Sequence, residues 1–177
     1  MKKIVLLILS ICCFGAAYGI KLEDRYIMRP LDKGHLYFIV PFDIPGHNMR
    51  MKEMSADITY LTQNDSVTLN MSIWTATELV TDSIVWDGKK RIVVRDFQTF
   101  FIERDNKLWL HRYSIKLHLS DLILLYSAIE PYKIILYDHS ASVSYGYSIK
   151  QWNKEQQWMN DILHIIISNK KLNKELE

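Results

Sequence analysis

Val67, Leu69, Met71 and Ile73 alternate without a break with Thr68, Asn70, Ser72 and Trp74. This period of two marks a strand with one face in a core and one face out of it. Just upstream, Ala56, Ile58 and Tyr60 alternate with Asp57, Thr59 and Leu61. Gln63, Asn64, Asp65 and Ser66 separate the two runs, and an Asn-Asp pair accepts the positive φ of a tight turn. The stretch 54–75 therefore predicts a β-hairpin. A turn centred on Asn64-Asp65 sets Tyr60 opposite Leu69, Ile58 opposite Met71 and Ala56 opposite Ile73, all on one apolar face. A slip of one residue would put Thr59 opposite Leu69 and Asp57 opposite Met71. The other face carries Asp57, Thr59, Asn70 and Ser72 and is expected to meet water.

The start of the chain is of a different kind. Lys2-Lys3 precedes a short apolar run over 4–14, and Ala17-Tyr18-Gly19 puts small residues at the −3 and −1 positions of a cleavage site. This predicts a secretory signal peptide over 1–19, too short to span a bilayer. Both cysteines, Cys12 and Cys13, fall inside it, so the exported chain is expected to lack disulfides, thiol chemistry and cysteine-bound zinc. A lipid anchor through Cys12 or Cys13 is the alternative, although Ile11 is a poor residue to precede a modified cysteine. Lys2 and Lys3 account for the whole excess of 22 basic over 20 acidic residues. The remainder is formally neutral, which implies no basic face and disfavours nucleic acid as a partner. No later run is long and apolar enough to predict a membrane span in the mature chain. The expected location is the periplasm or the extracellular space.

After an extended lead-in over 20–34, the residues 36–40 read as a strand that stops at Pro41, possible at a sheet edge. Residues 83–86 read as a strand turning at Asp87-Gly88, with Val85 against Ile92 and Ile84 against Val93. Residues 91–95 and 98–103 form a strand or a bent pair, and Asp105-Asn106 turns the chain into a strand over 108–119. There Trp109, His111, Tyr113, Ile115, Leu117 and Leu119 share a face, opposite Leu110, Arg112, Ser114, Lys116 and His118. Ser120 is read as the N-cap of a short helix near 121–128, stopped before Pro131. A second hairpin turns at His139-Ser140 and pairs Leu136 with Val143, Ile134 with Tyr145 and Tyr132 with Tyr147. A helix near 151–168 follows, with Trp152, Gln156, Met159, Leu163 and Ile166 on one face and Trp158, Ile162 and Ile165 widening it. Residues 169–177 are read as a frayed, charged tail. The whole predicts one α+β domain over 35–168: a mainly antiparallel curved sheet, or a sandwich, with the C-terminal helix packed on it.

No pattern for a reaction stands out. Of His35, His47, His111, His118, His139 and His164, none has a metal-ligand spacing, and no cofactor is implied. His111 and His118 differ by an odd number and should face opposite sides of their strand. Asp138-His139-Ser140 holds the residue types of a hydrolase triad, but neighbours in sequence cannot form the relay, and a turn is the better reading. Asp43, Asp57 and Asp96 could form a carboxylate pair only if the fold brought them together. Among the aromatics, Trp86, Trp109, Trp152 and Trp158 read as core. Trp74 continues a polar face, where it could stack on a sugar or anchor a partner, unless a loop or the lead-in covers it.

The signal peptide, the Lys/Tyr/Ile-rich composition and a closing helix with Trp152, Ile162 and Asn169-Lys170-Lys171 resemble small exported proteins of unknown function from Bacteroidetes-type bacteria. The resemblance carries no catalytic residue. The expected function is non-enzymatic binding of a protein or a glycan, in the manner of an inhibitor or immunity protein, with Trp74 as candidate contact. A small secreted hydrolase using histidine or carboxylate catalysis is the second expectation.

Overall fold

A computed structural model describes residues 21–46, 52–139 and 141–175, with side chains described as far as Lys170. Residues 1–19, read from the sequence as a signal peptide and containing Cys12 and Cys13, lie outside the described residues, as do His47 and Ser140. Ten strands and two helices follow a 3-10 turn: β1 (Tyr26–Pro30), β2 (His35–Ile44), β3 (Met54–Leu61), β4 (Ser66–Thr75), β5 (Ser83–Asp87), β6 (Ile92–Val94), β7 (Phe97–Asp105), β8 (Leu108–His118), α1 (Leu119–Tyr126), β9 (Lys133–Tyr137), β10 (Ser142–Gly146) and α2 (Ile149–Glu175). The fold is α+β and sandwich-like. A six-stranded sheet runs β1-β2-β3-β4-β8-β7 and a four-stranded sheet runs β10-β9-β5-β6; every pairing is antiparallel.

Alternation decides which face of the large sheet is covered. Ile39, Ile58, Leu69, Met71 and Ile115 project to one side and are buried in a single cluster with Ile84, Trp86 and Ile134 of the small sheet and Leu122, Met159, Ile162 and Leu163 of the helices. A void of about 10 Å³ marks where these layers meet, between Phe42, Ile58 and Leu69 on one side and Trp86, Ile134, Leu122 and Tyr126 on the other. It holds no more than one water.

The hairpin of 54–75 forms with the expected faces but in a different register. Tyr60 pairs with Val67, Ile58 with Leu69 and Ala56 with Met71, two residues away from the pairing drawn from the sequence. The reason is the loop: Leu61 pairs with Ser66, so 62–65 form a four-residue turn in which only Asp65 has positive φ (56°). A shift of two leaves every side chain on its face. Asp65 also accepts a 2.8 Å bond from the Tyr60 hydroxyl and pairs with Lys170 at 2.8 Å. Lys170 first, with Tyr60 and His118, holds its carboxyl below the usual range against the opposing effect of burial.

Other boundaries move for local reasons. β2 does not stop at Pro41 but runs on to Ile44, with a bulge between Ile39 and Phe42. Three residues apart, Ile39 and Phe42 would face opposite ways in a regular strand; the extra residue keeps both inside, and Pro41 sits where a ladder donor is not needed. The lead-in supplies β1. The β5–β6 pairing is one residue off the expected one, Val85 with Val93 and Trp86 with Ile92. Helix α1 starts at Leu119, so its N-cap is His118 and not Ser120; Asp121 reaches back to the His118 amide at 3.4 Å. Helix α2 continues past Ser168 because Asn169 and Lys170 find partners: Asn169 Nδ2 donates to the Tyr37 hydroxyl at 2.7 Å, beside the Lys170–Asp65 pair.

Gly34 closes the β1–β2 turn with φ +84°, and a Cβ there would lie 2.3 Å from Thr62 Oγ1. That oxygen accepts the His35 amide at 2.8 Å. Gly34→Ala is therefore expected to lower stability by about 1–3 kcal/mol in urea unfolding, from left-handed strain and displacement of Thr62.

Candidate binding face

All the helices and the small sheet lie on one side of the six-stranded sheet, and no described element covers its other face. Register builds that face in rows across the strands. Ile27, Phe38, Thr59, Thr68 and Lys116 form one row, Asp57, Asn70, Ser114 and Gln98 the next, and Ser55, Ser72, Arg112 and Phe101 a third. The middle is made of short polar side chains held by one network. Arg112 reaches across to Asp57 (Nη2 to Oδ2, 3.1 Å) and also donates to Ser72 Oγ, while Asn70 Nδ2 donates to Asp57 Oδ1 at 2.8 Å. Ser72, expected to meet water, is covered by this arginine and is 7% exposed. A guanidinium, a carboxylate and an amide fixed to each other present donors and acceptors with little conformational entropy left to lose.

One corner of the face is apolar. Phe38 and Ile27, the latter 54% exposed, flank a shallow groove of about 380 Å³ whose floor includes Val40 and Pro41 and whose rims carry Arg29 and Asp57. The strand edge beside it offers little for strand addition. Val40 N donates to Arg25 O and Leu31 N to Gly34 O, so Arg25, Ile27, Arg29 and Leu31 turn their backbone groups inward. Tyr26, Met28 and Pro30 face out, and Pro30 has no N–H to give. The face, rather than the edge, is the larger unpartnered feature.

Trp74 sits at the end of β4 and is half-buried. Its Nε1 donates to Asp105 Oδ2 at 3.2 Å, and the Lys52 ammonium lies 3.8 Å above its ring. The segment before β3 thus occupies the ring face that a sugar would need. Trp109 is not core, as the sequence reading had it, but half-buried at the sheet end with the Arg104 guanidinium 6.0 Å from its centroid.

The residues with reactive side chains are scattered. Asp43, near the end of β2, and Asp96, in the β6–β7 connection, are exposed, and Asp57 is engaged by Arg112. His118, His139 and His164 are exposed. His139 Nδ1 lies 2.7 Å from Asp82 and joins the β9–β10 turn to the crossover before β5. Among the described residues no three His, Cys, Asp or Glu side chains converge as a metal group.

Among the described histidines only His111 is fully buried; it lies at the junction of the sheets, 1% exposed. Its hydrogen bonds fix the protons. Thr75 Oγ1 donates to the Thr77 carbonyl, so it must accept from His111 Nε2 at 2.8 Å. His111 Nδ1 then has only its lone pair and accepts from the Tyr113 hydroxyl (3.4 Å), which accepts in turn from Thr81 (2.8 Å). The ring is neutral and ties β8 to the 76–82 crossover. Burial lowers its pKa below the ordinary 6.5, against opposing contributions from Glu78 and the Thr77 backbone. Below about pH 6.5 the unfolded imidazole takes a proton that the folded one refuses. Its contribution to stability is therefore full above that pH and falls as the pH drops towards the folded pKa. Urea unfolding between pH 5 and 8 should show this slope, and His111→Gln should flatten it.

Comparison with family models, curated proteins and solved structures finds no match. No helix among the described residues is long and apolar enough to cross a membrane.

Proposed function

We propose that this chain is an exported, non-enzymatic binding protein that takes a partner protein on the outer face of its six-stranded sheet. The observation that carries the reading is the contrast between the sheet's two faces: both helices and the second sheet lie on one, and no described strand or helix lies on the other, where Asp57, Asn70, Ser72 and Arg112 form a fixed polar network. A flat, ordered, mixed polar surface with an apolar corner suits a protein interface, in which a few anchors carry the energy and the surround excludes water. An inhibitor or immunity protein would work this way. A glycan is the less favoured ligand, because Lys52 already occupies the Trp74 ring.

Thr68 is in the middle of this face and half-buried. Thr68→Arg should leave the melting temperature within about 2 °C, as most surface changes do. Tandem affinity purification from cells that make the protein should recover a stoichiometric partner with wild type and at least tenfold less with the variant. Equal recovery by a normally folded Thr68→Arg protein would overturn the reading.

A further inference from the structure

We infer that the groove at the β1–β2–β3 corner of the open face receives an apolar side chain of the partner protein together with a neighbouring carboxylate, which Arg29 binds. This deepens the proposed function and rests on it.

The groove exists because of the bulge in β2. Ile39 pairs with Ile58 and Phe42 with Ala56, so Val40 and Pro41 carry the extra residue. β1 pairs with β2 from Ile39 back to His35, and the hollow is lined by Ile27 and Arg29 of β1, by Phe38, Val40 and Pro41 of β2 and by Asp57 and Thr59 of β3. Bulges bend a strand and re-aim its side chains, which is why they recur beside binding sites. The volume, about 380 Å³, is of the size that takes one or two side chains. Phe38, 36% exposed, and Ile27 supply apolar surface open to a partner.

Charge selects the occupant. The groove has one cation and one anion, but they do not compensate each other. Asp57 is already engaged, by Arg112 at 3.1 Å and Asn70 at 2.8 Å. Arg29 has no carboxylate within ion-pair distance among the described residues; its guanidinium carbon stands 5.9 Å from the Phe38 ring centroid. The cation therefore sits over the apolar surface with its donors unclaimed by any acid. A guanidinium so placed is matched by a carboxylate, whose two oxygens accept its forked N–H groups while the adjacent side chain covers Phe38. In an extended segment, residues i and i+2 point the same way, so one aliphatic residue and one acidic residue two positions on would reach both features at once.

The probe is acetyl-Leu-Ala-Glu-amide, whose only carboxylate is the Glu side chain, titrated into 15N-labelled protein and followed by amide chemical shifts. Saturable shifts are expected at Ile27, Arg29, Phe38, Val40 and Thr59. The Gln counterpart of the peptide should bind about three- to fivefold more weakly, the discrimination a solvent-edged ion pair provides. Arg29 is exposed, so Arg29→Gln should fold normally and bind both peptides equally. No saturable shifts in the groove, equal affinity for both peptides, or discrimination that survives in Arg29→Gln would each overturn the inference. So would groove shifts produced by maltohexaose and not by the peptide, which would make the ligand a glycan. Shifts confined to Thr68, Ser114 and Lys116 would overturn the groove while leaving the open-face reading, and Thr68→Arg tests that reading separately.

Discussion

Met71→Asp should leave no cooperatively folded protein at 25 °C. Met71 is wholly buried, between Ala56 on β3 and Tyr113 on β8, and among the described residues no Lys or Arg is buried on that face of the sheet. A carboxylate there must either stay charged without a partner or take up a proton and still lack hydrogen bonds. Either costs several kcal/mol, a large part of the stability of a domain this size. Circular dichroism and urea titration would show the loss. The next residue sets the contrast. Ser72 faces the other way, and its hydroxyl accepts from Arg112. An aspartate in its place meets a guanidinium, so Ser72→Asp should fold. A folded Met71→Asp beside an unfolded Ser72→Asp would mean that the two faces are reversed.

The second large effect is expected at Trp152. It is fully buried in α2, stacked on Tyr126 at 5.4 Å, edge-on to Tyr132 at 5.2 Å and 5.9 Å from Tyr147, and its Nε1 donates to the Ala128 carbonyl at 3.3 Å. Trp152→Ala removes the centre of this cluster, loses one of the bonds that tie α2 to the chain at and just after the end of α1, and leaves a cavity. The expected cost is about 3–5 kcal/mol in urea unfolding. Lys154, exposed on the same helix, provides the control: Lys154→Ala should cost about 0.5 kcal/mol or less. If α2 were instead a detachable docking helix, Trp152→Ala would leave the melting temperature unchanged.

How much was legible in the sequence depended on whether a signal was local. Alternation assigned the faces of β3, β4 and β8 correctly, including Arg112 and Ser114 on the open side. The β9–β10 register was also readable, Leu136 with Val143 and Ile134 with Tyr145, because the apolar pattern on both strands admits that pairing. In β3–β4 the same pattern admits shifts of two, and only the loop distinguishes them; Asn64-Asp65 looks like a two-residue turn, whereas Thr62 and Gln63 belong to it as well. β1 had no signal, since its residues are mostly exposed and show no alternation of buried and exposed faces. The end of α2 was misjudged because Asn169 and Lys170 look like solvent residues until Tyr37 and Asp65 are brought beside them. Of the candidate face, the polar centre could be read from alternation. The groove could not, because it requires β1 and the β2 bulge together. The one visible sign was Pro41 inside an apolar run, with Ile39 and Phe42 at a spacing that a regular strand does not allow.

Photo-crosslinking in living cells tests the central claim most directly. A photoreactive residue would replace Thr59, Thr68 or Lys116 on the open face, or Gln157 or Asp161 on the exposed side of α2. The account predicts one adduct of the same mass from all three open-face positions and none from the helix. The same adduct from Gln157 or Asp161, with none from the open face, would contradict it.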